Sequence, residues 1–108
     1  MNDNYTKFFG DEVRRIWHQD EWWFLAIDII KELITNETPE NYLQVMKITN
    51  VEFNKWFENK TKKLNPNMDY TNLEGVFRII QSINTQKAEH FKLWMAQLAK
   101  KRIDELAK

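Results

Sequence analysis

The chain has 108 residues, 30% of them charged, with 16 basic residues against 16 acidic ones and no cysteine. That length suits one domain able to bury roughly two-thirds of its unfolded surface, and the lack of cysteine excludes disulfides and thiol chemistry. No apolar run approaches the ~20 residues of a membrane span, and no signal-type segment opens the chain, so a soluble cytoplasmic protein is expected.

Residues 1–6 are polar and expected to fray. Lys7-Phe8-Phe9 reads as a short strand ended by Gly10-Asp11. Glu12 to Trp17 is rich in β-branched, aromatic and Arg residues, His18-Gln19-Asp20 reads as a turn, and Glu21 to Leu25 is a second strand. The two make an antiparallel hairpin, with Trp22 and Phe24 on one face and Trp23 and Leu25 on the other. At Ala26 the apolar period changes from two to helical, and Ile27, Ile30 and Ile34 share a side, with Leu33 beside them. Asp28 suits the first turn, where an anion meets the positive end of the helix dipole. This helix is expected to stop near Thr35-Asn36.

Thr38-Pro39 restarts the chain as a cap followed by proline at the first helical position. Tyr42, Leu43 and Met46 carry the apolar side. A three-residue turn, Ile48-Thr49-Asn50, leads into a helix with Phe53, Trp56, Phe57 and Lys60 on one side. Thr49 with Glu52, and later Thr71 with Glu74, match the capping box, in which each side chain bonds the other residue's backbone N–H. Asn65-Pro66-Asn67 is a turn, read as the tip of a small hairpin between Lys63-Leu64 and Met68-Asp69-Tyr70. Leu73, Val76, Phe77, Ile80 and Ile83 then form one helical stripe, and Phe91, Trp94, Met95 and Leu98 a second after the break at 83–86. The final residues extend the last helix, with Arg102 interrupting its stripe. The whole reads as an α+β fold: an N-terminal antiparallel hairpin or small sheet with four to five helices, forming a single domain over residues 1–108.

The run Leu73-Glu74-Gly75-Val76-Phe77-Arg78-Ile79-Ile80-Gln81-Ser82-Ile83, followed by Lys87-Ala88-Glu89-His90-Phe91-Lys92-Leu93-Trp94, resembles the signature of the BRO family N-terminal domain. The resemblance covers roughly residues 7–34 and 70–103, with a divergent middle; Thr85-Gln86 stands where that family usually has a proline. It implies a phage- or virus-type regulatory protein, as in prophage antirepressors, with links to DNA binding and to antirepression.

Residue chemistry supplies the candidate sites. The first 54 residues hold five basic and ten acidic side chains, the rest eleven and six, so a bipolar surface is one outcome of folding. The order helix, turn, helix, basic hairpin over Pro39 to Tyr70 is compatible with a helix-turn-helix and wing. Lys55, Lys60, Lys62 and Lys63 are then phosphate contacts, and Asn54 and Asn59 reach base edges. The same segment also reads simply as two core helices with solvated lysines. Arg14 and Arg15 on the first hairpin are a further phosphate-binding pair, unless one of them pairs with Asp20, Glu21 or Asp28. Trp22 and Trp23 are candidates for a protein interface, where Trp is a frequent anchor.

Two partners are therefore expected as alternatives: double-stranded DNA, or a phage repressor or other regulator bound without contact to DNA. A homodimer through the Trp patch is a third. His18 with Asp20, and Glu89 with His90, are isolated pairs without metal-ligand spacing, so no metal site and no cofactor is expected. With two glycines and one serine there is neither a phosphate loop nor a nucleophile elbow, and an enzyme is not expected.

Overall fold

Ten elements follow one another in the computed structural model, which describes residues 4–8, 10–64 and 66–107. They are β1 (Tyr5–Phe8), β2 (Asp11–His18), β3 (Glu21–Leu25), α1 (Ala26–Leu33), α2 (Pro39–Thr49), α3 (Val51–Lys60), β4 (Lys62–Leu64), β5 (Met68–Thr71), α4 (Leu73–Ser82) and α5 (Gln86–Leu106). The fold is α+β. Its sheet has the order β1-β2-β3-β5-β4, and every neighbouring pair is antiparallel.

The β2–β3 hairpin closes through two residues, Gln19 and Asp20, at φ 52° and 65°. Positive φ at both positions gives the turn whose twist matches that of the strands it joins. Pairing sets Arg15 opposite Phe24, Ile16 opposite Trp23 and Trp17 opposite Trp22. The period of two then sorts the side chains. Val13 and Phe24 turn towards the helices and the main core, while Trp23 and Leu25 turn the other way and gather with Tyr70, Ile16, Leu64 and Met68 in a second cluster. Tyr5 and Thr6 are not frayed; they pair with Arg14 and Val13. Phe9, expected in the same strand, lies outside the described residues.

Strand β3 runs straight into α1 without a capping side chain. The helix buries Ala26, Ile29, Ile30 and Leu33 and ends at Leu33; of the expected side Ile30, Leu33 and the following Ile34 are buried and Ile27 packs on the core, while Ala26 and Ile29 join them. Its last carbonyl accepts from the hydroxyl of Thr85, whose Oγ1 also accepts from the N–H of Ala88 and so caps α5. One threonine thus joins the end of α1 to the start of α5. Phe8 stacks on Phe91 at 4.9 Å between ring centroids, holding β1 to the same end of α5.

Two capping residues differ from expectation by one position. Asn50, not Thr49, caps α3 by accepting from the Phe53 N–H, while the Thr49 hydroxyl donates back to the Val45 carbonyl. Asn72, not Thr71, caps α4 by accepting from the Gly75 N–H, and Thr71 is buried as the last residue of β5. In both places the asparagine amide oxygen reaches the orphan donor of the first turn. Thr38 caps α2 as expected.

The stripes of the last two helices are also corrected. Helix α4 buries Gly75, Val76, Ile79 and Ile80, whereas Leu73 and Phe77 remain 55% and 39% exposed. In α5 only Ala88 and Phe91 are buried; Trp94 and Leu98 are 44% and 47% exposed. For Leu98 the reason is length. Helix α5 has 21 residues and α4 has 10, so the second half of α5 runs past the element it packs on.

Candidate nucleic-acid interface

Helix α3 is anchored from inside by Phe53 and Phe57, each 1% exposed, with Trp56 tilted against them. Helical geometry then turns Lys55 and Asn59, one turn apart, outward. Both are exposed, as is Lys60 at the helix end, while Asn54 is half-buried. The Thr61 N–H bonds to the Phe57 carbonyl, closes the helix and directs the chain into β4. There Lys62 pairs with Tyr70 and Lys63 with Asp69. Lys60, Lys62 and Lys63 therefore collect where the helix hands over to the ribbon. Between the helix pair, the connection is tighter than the expected three residues: α2 ends at Thr49 and α3 begins at Val51, so Asn50 alone joins them.

The charges around this corner are partly committed. Lys63 Nζ lies 2.9 Å from Asp69 Oδ1, and Lys62 Nζ lies 5.3 Å from the centre of the Trp23 ring. Glu58, the one carboxylate between Lys55 and Lys63, meets Lys47 at 3.3 Å. Lys47 in turn sits 4.4 Å over the Phe57 ring. Asn59, Lys60 and Lys62 line a groove of about 400 Å³ with Asn72, Glu74 and Gly75 of the next helix.

The two arginines go elsewhere. Arg14 forks onto Asp28, with Nε 3.0 Å from Oδ2 and Nη2 2.9 Å from Oδ1, and its backbone N–H also donates to Oδ2 at 2.9 Å. Burial acts to raise the Asp28 pKa, but the hydrogen bonds and charge of Arg14 outweigh it and hold the carboxyl below its ordinary range. The hydrogen bond to Asp28 raises the Arg14 pKa. Arg15 lies 3.8 Å over the Trp22 ring. Trp22 and Trp23 face opposite ways along β3, so the sheet itself separates Arg15 from Lys62. The structure brings Asn59, Lys60 and Lys62 to one groove, turns Lys63 to the opposite face of β4 against Asp69, and places the arginines elsewhere.

The expected tryptophan interface is corrected as well. Trp23 is 4% exposed, because the alternation that turns it from the main core buries it against Leu25 and Tyr70. Its Nε1–H donates to the His18 carbonyl at 3.1 Å. The open indole of the hairpin is Trp17, 52% exposed and edge-on to the half-buried Trp22 at 5.2 Å. His90 is exposed on α5, and the His18 ring meets Trp23 edge-on at 6.3 Å. What the sequence reading missed is a second surface. Leu73, Phe77 and Trp94 border an apolar groove of about 420 Å³, continued past Phe77 by Met95, Leu98 and Ala99. The length of α5 relative to α4 was the available signal.

A five-stranded antiparallel sheet carrying helices, with a tight helix pair leading into a short two-stranded ribbon, defines a small α+β domain. The model of the BRO family, N-terminal domain, matches residues 12–100, and the chain belongs to that family. No curated protein and no solved structure matches the chain.

Proposed function

We propose that this domain is a phage- or virus-type regulator that binds double-stranded DNA through α3 and the β4–β5 ribbon. Family membership supports a regulatory role. The observation that carries the DNA reading is the corner at Lys60 to Lys63. Four lysines, at 55, 60, 62 and 63, share the helix and the strand that follows; Glu58, between Lys55 and Lys60, meets Lys47, and Lys63 meets Asp69. Helix α3 is about 15 Å long and enters a major groove about 12 Å wide, with Lys55 and Asn59 outward and the ribbon lysines on flanking phosphates.

The test is fluorescence anisotropy of a labelled mixed-sequence duplex over a range of salt. Binding should weaken log-linearly, with a slope equal to about three or more neutralised phosphates. A Lys55→Glu/Lys60→Glu variant should lose that binding while keeping its circular dichroism and melting temperature. No binding at low salt would remove the DNA reading.

A second reading is a protein-binding antirepressor that leaves DNA alone. The exposed apolar groove between α4 and α5 favours it, since patches of that kind mark interaction surfaces on soluble proteins.

A further inference from the structure

The groove where α3 ends, β4 begins and α4 starts is lined with donors that the fold leaves unspent. It holds about 400 Å³ among Asn59, Lys60, Lys62, Asn72 and Glu74. Lys47, Lys63, Lys92 and Lys100 each meet a carboxylate. Among the described residues the side chains of Asn59 and Lys60 meet no partner, and the Lys62 ammonium meets only the face of Trp23 at 5.3 Å. Asn72 spends its Oδ1 on the Gly75 N–H, which leaves Nδ2, a donor only, to the groove. Two ammonium groups and two carboxamides stand against one carboxylate, a donor set suited to an anion.

We infer that this groove seats one phosphate of the DNA backbone, so that the start of α4 takes part in duplex binding along with α3 and the ribbon. The inference rests on the duplex reading. Helix length argues for the occupant. Helix α3, about 15 Å long, exceeds the width of the major groove it enters, about 12 Å, so one end comes against the sugar-phosphate strand at the rim. The end that an anion draws is Asn59 and Lys60, and β4 carries Lys62 on from it. A backbone phosphate there meets ammonium groups from two elements and amide donors from α3 and α4, contacts that fix the register of the protein without reading bases. Glu74 is the one carboxylate lining the groove; it opposes the phosphate and limits affinity.

Duplex anisotropy on a set of variants tests the seat, with circular dichroism and melting temperature checking the fold of each. Glu74→Gln should tighten binding at low salt on the order of threefold. Glu40→Gln, which removes the same charge from the exposed first turn of α2, should do clearly less. Asn59→Asp should weaken binding by a similar factor, and the double variant Asn59→Asp/Glu74→Gln, with the net charge of the wild type, should return to wild-type affinity. A wild-type chain that binds the duplex while Glu74→Gln and Glu40→Gln act alike overturns the seat and leaves the duplex reading standing. No duplex binding by the wild type removes both, and oligoglutamate bound in place of the duplex gives the groove to an acidic protein and overturns the phosphate.

Discussion

Thr71 Oγ1 occupies the space that a side chain on residue 75 would need: a Cβ built on Gly75 meets it at 1.6 Å. The last residue of β5 and the first turn of α4 approach this closely because Gly75 has no side chain. Gly75→Ala should therefore destabilise by about 1–3 kcal/mol, although alanine is the better helix former. Thr71 Oγ1 finds no hydrogen-bond partner among the described residues. Thr71→Ala should for that reason cost little alone and should recover much of the Gly75→Ala loss in the double variant. Urea titrations of the four proteins check both points.

Stability should depend on pH through two carboxyls of opposite sense. Burial, followed by a hydrogen bond and charge from Asp11, pushes Glu32 from 4.5 up to about 7. The folded state therefore binds that proton more tightly than the unfolded chain does. The contribution is whole below pH 4.5 and is lost as pH rises through about 7. Asp28 runs the other way, contributing above its ordinary 3.8 and losing that contribution as pH falls through its lowered value. Unfolding at pH 5 and pH 8 should show the wild type losing stability across the interval and Glu32→Gln losing clearly less.

The Arg14–Asp28 fork gives a third expectation. Asp28 keeps only 12% of its side chain exposed, so removing its partner leaves a carboxylate poorly solvated and short of donors. Arg14→Ala should cost about 1–3 kcal/mol. If Arg14 is spent on the fold, salt slopes for duplex binding should be the same in Arg14→Gln and wild type, and a slope reduced by about one unit would place it on a phosphate.

The β2–β3 turn gives a fourth. Gln19 and Asp20 both hold positive φ, a conformation in which Asn and Gly are favoured. Replacing the pair by Asn-Gly should raise stability by about 1 kcal/mol, seen as a higher melting temperature, with no change in the Trp17–Trp22 contact.

Much of this molecule was legible in its residues because the determinants are local. The alternation Glu21 to Leu25, the Thr38-Pro39 start, the turn at Pro66-Asn67 and the helix break at 83–86 each act within a few positions, and the run from Leu73 to Trp94 carried the family. Even the errors in capping were small, since Thr49-Asn50 and Thr71-Asn72 each offer two side chains able to serve, and backbone direction chooses between them. The sequence also placed Lys60, Lys62 and Lys63 together, as neighbours in the chain must be.

Tertiary structure decided what burial and pairing depend on. Which face of the hairpin holds Trp23 was set by the second cluster of Leu25 and Tyr70, formed with a strand 45 residues further on. Whether Arg14 was free was set by Asp28 on the following helix. Whether Leu98 was core or surface was set by how far α5 extends beyond α4. An apolar stripe records that a face wants cover; only the arrangement of the other elements determines whether this chain provides it, because burial is a property of the space around a residue and not of the residue itself.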